Sequence, residues 1–262
     1  MDRNRPYVFA TERDRGFERF EALADLYDAA TVRHIEKLGI ARGWTCLEVG
    51  AGSGSIAMWL TERVAPGRVI ATDRDVSQLD AHASLAIEIW RHDIATDALP
   101  TETFDLVHAR LVLMHLPNAV GALARMVHAL RPGGWLVVEE FDVTSAEHGE
   151  KNDSGETLPR TSLAFRTVMQ RAGVDLRFGR RLPSILRAQG LTDIGGEGRT
   201  CLWTGRTAGA RLMRANYVGL RDAIVETGLV DSDEFDGDVE RLNDPQFSTT
   251  SPTMWSVWGR RP

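Results

Sequence analysis

The stretch Thr45-Cys46-Leu47-Glu48-Val49-Gly50-Ala51-Gly52-Ser53-Gly54-Ser55-Ile56-Ala57-Met58-Trp59-Leu60 narrows the choice of fold more than any other part of the chain. An apolar run at Cys46, Leu47 and Val49 meets three alternating glycines, and an apolar pattern of helical period follows. That order reads as strand, tight turn and helix. Without a Cβ, Gly50, Gly52 and Gly54 can take positive φ and bring backbone close to a bound nucleoside, with the first amides of the next helix pointing at it. Next, Arg68 to Asp73 reads as a second strand. Asp73 stands at its end, about 20 residues past the turn, where nucleotide-type folds place a carboxylate to accept from both ribose hydroxyls.

The rest of the chain extends this alternation. Residues 1 to 16 are charged and poor in apolar anchors, which predicts a mobile arm. Apolar residues from Phe17 to Leu38 recur at helical intervals and predict one or two helices, with Gly39 and Gly43 as stop and entry turn. A short helix is expected over Asp75 to Ala83 and strands over Leu85 to Trp90 and Phe104 to Ala109. A helix from about Asn118 to Leu130 follows, then a hard turn at Arg131 to Gly134 and a buried strand over Trp135 to Glu140. Glu147 to Glu156 reads as a loop at the rim of the site. Helices are expected at Thr161 to Ala172, Pro183 to Gln189, Ala208 to Glu226 and after Asp231, with strands at Thr192 to Thr204 and Ser251 to Gly259. The pattern is α/β and doubly wound.

Composition sets outer bounds. A chain of 262 residues with 43% hydrophobic content suits a single domain, read as an arm or lid over 1–40, a core over 41–142, and a lid insertion, helices and closing strands over 143–262. No apolar stretch approaches the roughly 20 residues of a membrane span, and Met1 to Arg5 leads to no signal core, so a cytoplasmic protein is expected. A net charge of -6 points away from nucleic acid and toward a small-molecule partner. Cys46 and Cys201 read as reduced structural thiols, and no metal-type spacing is present. A monomer or homodimer is expected.

Several motifs together resemble the class I S-adenosylmethionine-dependent methyltransferases, especially small-molecule enzymes of quinone biosynthesis and natural-product pathways. Leu47 to Gly54 is similar to that family's glycine-rich motif. Asp73, His92-Asp93-Ile94, Phe104-Asp105-Leu106-Val107 and Leu130-Arg131-Pro132-Gly133-Gly134 follow in family order, covering about residues 40 to 140. The resemblance implies a Rossmann-like, seven-stranded, mainly parallel sheet with an N-terminal helical lid and C-terminal helical insertions. The C-terminal third resembles the family in outline, with Trp255 to Arg261 similar to its antiparallel closing strand. The implied cofactor is S-adenosyl-L-methionine, leaving as S-adenosyl-L-homocysteine.

The cofactor contacts so implied are Tyr27, Glu48, Gly50, Ala51, Gly52, Asp73, Arg74, Asp93, Ile94, His108 and Ala109. Glu48 is costly inside a strand unless paired; in the family this position lies near the methionine amino group. Asp93 and Ile94 flank adenine there. Each has an ordinary alternative: Asp73 as a helix cap, Arg74 as a solvated charge, Tyr27 as core. Arg110, His115 and Glu140 are candidates for the acceptor, with His115 as base or orienting group because neutral imidazole titrates near working pH. Two other readings stand beside methyl transfer. One is a non-methylating isomerase, decarboxylase or cyclase that keeps the cofactor; the other, a nicotinamide oxidoreductase, is disfavoured because the turn spells GxGxG and not GxGxxG.

Overall fold

The structure is a computed structural model and describes residues 13–79, 87–148 and 159–262. Residues 1–12 of the arm expected over 1–16, the end of the expected helix at 80–83 and residues 149–156 of the expected rim loop lie outside these, whereas residues 13–16, expected in the arm, are helical. The chain packs as two compact units, one of residues 1–26, 143–176 and 200–253, the other of 27–142, 177–199 and 254–262.

The second unit holds the sheet. Its strands are β1 (Thr45–Val49), β2 (Arg68–Asp73), β3 (Ile87–Arg91), β4 (Phe104–Arg110), β5 (Leu130–Asp142), β6 (Thr192–Arg199) and, numbered β9 by chain order, Thr253–Arg260. The spatial order is β3-β2-β1-β4-β5-β9-β6. The pairs β1–β2, β2–β3, β1–β4 and β4–β5 are parallel, and β6–β9 is antiparallel. Order reverses between β1 and β4, the switch point at which open α/β sheets place ligands beyond the strand ends. Helix α1 (Arg13–Lys37) leads into β1 and stops at Gly39, whose φ of 82° lets its N–H reach the Glu36 carbonyl at 3.0 Å. Helix α2 (Ser55–Val64) buries Ile56, Ala57, Leu60 and Val64 against Cys46, Val69 and Ala71 of the sheet. Burial pushes the Cys46 thiol up, so it stays protonated as a small apolar side chain, and both cysteines are free.

Between β4 and β5, α3 (Ala119–Ala129) is capped by Asn118, whose side chain accepts from the Gly121 N–H at 2.9 Å. The stretch expected as a hard turn at Arg131 to Gly134 is instead a bulge within β5: Leu130 pairs with Phe104 and Trp135 with Leu106, and Gly133 at φ 81° absorbs the extra residues. Residues 75–79, expected to begin a helix, form a turn. Helix α5 (Phe178–Ala188) starts well before the expected Pro183. The proline removes one backbone bond, but buried Phe178, Leu182 and Leu186 hold the first turns, and Gly179 lies so near β5 that a Cβ there would sit 2.4 Å from the Glu140 carbonyl.

The first unit holds α4 (Pro159–Arg171), α6 (Ala208–Gly219), α7 (Arg221–Val225), α8 (Ser232–Arg241) and a two-stranded antiparallel ribbon of β7 (Leu202–Thr204) and β8 (Ser248–Thr250), with α6 packed on β7. The single strand expected over Thr192 to Thr204 breaks after Arg199. The helix expected over Ala208 to Glu226 breaks at Leu220, after the weak helix former Gly219. Thr161 donates to Asp238 at 2.6 Å, and Ser162 and Tyr217 share a bond of 2.9 Å.

Candidate functional site

Every residue singled out for the site falls in the sheet unit. Gly50, Gly52 and Gly54 take φ of 67°, 56° and 83°, the left-handed region that disfavours side chains. Gly50 is doubly constrained, because a Cβ there would lie 2.3 Å from Val112 Cγ2. The turn is tied at both flanks: the Ala51 N–H donates to the Thr72 carbonyl at 2.9 Å, and the Gly52 N–H to Asp73 Oδ2 at 2.9 Å. Asp73 also accepts from the Asp75 N–H at 3.2 Å. Burial raises its carboxyl above the usual range, against the lowering effect of these amide donors.

Beyond β3, Arg74 and Asp93 come together, with Nε 3.5 Å from Oδ2. Asp93 Oδ1 accepts from the Ala95 N–H at 2.9 Å, which curls the chain around the buried Ile94. Arg125 of α3 holds this turn from behind, donating to the Ile94 carbonyl at 3.0 Å and to the Ala95 carbonyl.

At the end of β4, Leu111 has φ of 57°, strained for a branched, buried residue. Its N–H is anchored on the Glu139 carbonyl at 2.9 Å, and Glu140 Oε1 accepts from the Val112 and Leu113 N–H groups at 3.0 and 2.6 Å. These bonds set the 3₁₀ turn Leu113–His115, which carries half-buried His115. Glu140, expected beside an acceptor, is fully buried and fastens that turn. Ala109 is fully buried as well. Arg110 reaches α1, donating to Asp28 at 2.7 Å and Thr31 at 3.1 Å. Tyr27 is buried, edge-on to Phe141 at 5.6 Å with the Arg199 guanidinium over its ring at 5.3 Å.

Glu48 has the partner its burial demands: His108 Nδ1 lies 2.7 Å from Glu48 Oε2, and Nε2 lies 3.4 Å from Glu139 Oε2. Burial alone would lower the imidazole, but the two carboxylates outweigh it and push it up to about 9. Burial alone would raise Glu139, but the bond from His108, the nearby His34 and the charge of Arg110 hold it well below the usual carboxylate range. Thr31 and Ser256 also donate to Glu139, the latter at 2.6 Å. Sequence reasoning did not assign Thr31, His34 or Ser256. The available signal was the spacing of Tyr27, Thr31 and His34, which puts polar groups in line on a face otherwise read as apolar.

Residues 47–138 match the sequence profile of a family described as a methyltransferase domain. A methyltransferase of Strobilurus tenacellus, str3, is 30% identical over 142 residues, 54% of this chain and 50% of that one. The chain spans about half the length of the first curated relatives it matches. Among solved structures, Haemonchus contortus phosphoethanolamine N-methyltransferase 2, bound to phosphomonomethylethanolamine and S-adenosylhomocysteine, superposes with a TM-score of 0.57 at 16% identity, over 89% of this chain and 52% of that one. The [4+2]-cyclase SpnF superposes with a TM-score of 0.50 at 16% identity, over 88% and 80%. Residues 47–138 are thus similar to S-adenosylmethionine-dependent methyltransferases, and the fold is the one seen with S-adenosylhomocysteine bound. The residues present fit that cofactor: three of the five turn residues lack a side chain, and carboxylates of the kind a diol or an amine can bond stand at the end of β2 and just past β3.

Proposed function

We propose that this chain transfers a methyl group from S-adenosylmethionine to a small, partly apolar or aromatic metabolite, at oxygen, nitrogen or carbon. The observation that carries the reading is the Gly52 N–H to Asp73 bond, which pre-shapes a nucleoside-sized turn inside the matched segment. Gly50, Ala51 and Gly52 offer backbone to the cofactor, Asp73 its ribose acceptor, and Arg74, Asp93 and Ile94 the surroundings of adenine. Tyr27, Glu48 and Ala109 complete the cofactor end, with His108, expected among these contacts, fully buried behind Glu48. Bound cofactor supplies an activated sulfonium methyl. What remains for the protein is alignment and exclusion of water, and positioning two reactants is worth roughly 7–11 kcal/mol.

His115 is the group we assign to orient or deprotonate the acceptor, with Arg110 as a second candidate for the acceptor. Glu140 acts one step back, by fixing the turn that carries His115. The acceptor is a small molecule and not nucleic acid, met in the cytoplasm by a monomer or homodimer. Among the described residues no helix is long and apolar enough to cross a membrane.

A cyclisation or other non-methylating reaction in the same fold is the second reading, supported by the likeness to the cyclase SpnF. Titration calorimetry with S-adenosylhomocysteine tests the binding, and product mass tests the reaction. A gain of one methyl supports transfer; an unchanged mass with turnover supports the second reading.

A further inference from the structure

We propose that His108 is a positioning residue: held between the Glu48 and Glu139 carboxylates, it fixes Glu48 just ahead of the glycine turn and links that turn to α1. The inference rests on the methyltransferase reading above. It names no new cofactor contact, but a residue that acts through another.

Proton counting carries the argument. Glu48 and Glu139 are both buried, His108 is fully buried, and the imidazole has a carboxylate oxygen at each ring nitrogen, 2.7 and 3.4 Å away. An ionised carboxylate only accepts, and a neutral imidazole has one N–H, so only the doubly protonated ring serves both. Two buried carboxylates without a cation between them would be strongly unfavourable. The charge on His108 therefore belongs to the folded arrangement.

The groups facing this ring are Glu48 from β1 and Glu139 from β5. Behind Glu139 stand His34 of α1, whose Nδ1 lies 3.6 Å from Oε1, and Arg110 of β4. The row continues outward, with His34 Nε2 at 3.4 Å from Glu197 and Arg33 donating to Glu197 at 2.6 Å. Glu139 accepts from Thr31, Ser256 and His108, donors on both of its oxygens that hold it in place. Glu48 is thereby held by a ring that is itself held. Rotating the Glu48 carboxylate would break the His108 bond and leave a buried cation half-paired.

The test pairs a spectrum with a titration. Long-range ¹H–¹⁵N spectra of the free protein should show both His108 ring nitrogens protonated at neutral pH; a neutral single tautomer overturns the proposal. His108→Gln keeps a donor for Glu48 but no charge, and should weaken S-adenosylhomocysteine binding by about tenfold or more, as the loss of a charged hydrogen bond implies. Glu139→Gln retains the His108–Glu48 bond but removes one counter-charge. In that variant affinity should acquire a dependence on pH between about 6 and 8 that the wild type lacks, a readout that remains if His108→Gln does not fold. Wild-type affinity in His108→Gln, or a flat profile in Glu139→Gln, overturns this assignment alone. A wild type that binds no S-adenosylhomocysteine overturns the methyltransferase reading and this assignment together.

Discussion

Replacing Gly50 by alanine probes two separable effects at the centre of the site. The first is conformational: at φ of 67° an L-residue costs roughly 1–2 kcal/mol relative to glycine. The second is steric, since the new Cβ would lie 2.3 Å from Val112 Cγ2, and overpacking of this kind costs about 1–3 kcal/mol. Gly50→Ala should therefore destabilise the chain by about 2–5 kcal/mol, a large share of a typical folding free energy. The two effects come apart in a double-mutant cycle with Val112→Ala. That change removes Cγ2, after which the residue 112 Cβ lies 3.6 Å from the new methyl, an ordinary contact. Relief of the clash should appear as a coupling of about 1–3 kcal/mol, with the conformational part left uncorrected. Urea unfolding of the four proteins measures it. Strict additivity would refute the claim that Val112 closes over Gly50, and a single-mutant effect below about 1 kcal/mol would refute both parts.

Asp73→Asn should weaken S-adenosylhomocysteine binding about tenfold in calorimetry yet shift stability by less than about 1 kcal/mol, because the amide oxygen still accepts from Gly52. Glu140→Ala leaves the Val112 and Leu113 amides, which open the 113–115 turn, without their acceptor and should cost about 1–3 kcal/mol in urea unfolding; an unchanged midpoint would show that the turn does not need the carboxylate. His108, raised in the fold from 6.5 to about 9, adds stability that is whole below 6.5 and lost as pH climbs to 9. Glu139, lowered in the fold, adds stability that is whole above 4.5 and lost as pH falls below it. Unfolding midpoints should thus be highest between about pH 4.5 and 6.5, and a midpoint that rises from pH 7 to 9 would contradict the pairing.

The parts of the fold that sequence displays are those in which local pattern and tertiary role coincide. Val69, Ile70 and Ala71 form an apolar run because β2 is buried on both faces, and Gly50 to Gly54 spell a turn because only glycine tolerates those dihedrals. Elsewhere the two diverge. Thr192 to Thr204 carries too few apolar residues to reveal that it divides between two sheets, and Pro183 suggests a helix start only because packing by Phe178 is not visible locally. Strand-end position made the rim of the site legible, Asp73 and Asp93 included. It could not separate Glu139 from Glu140, because adjacent strand residues face opposite sides, and their partners at His108 and Val112 come from another part of the chain.

The bond between Gly52 and Asp73 also bears on kinetics. It orders the turn in the free chain, so the loss of backbone freedom there accompanies folding and not the arrival of a ligand. A ligand seated on the turn meets a cradle that needs no rearrangement. Variants of such a ligand should then enter at similar rates, and their affinities should separate by how long each stays.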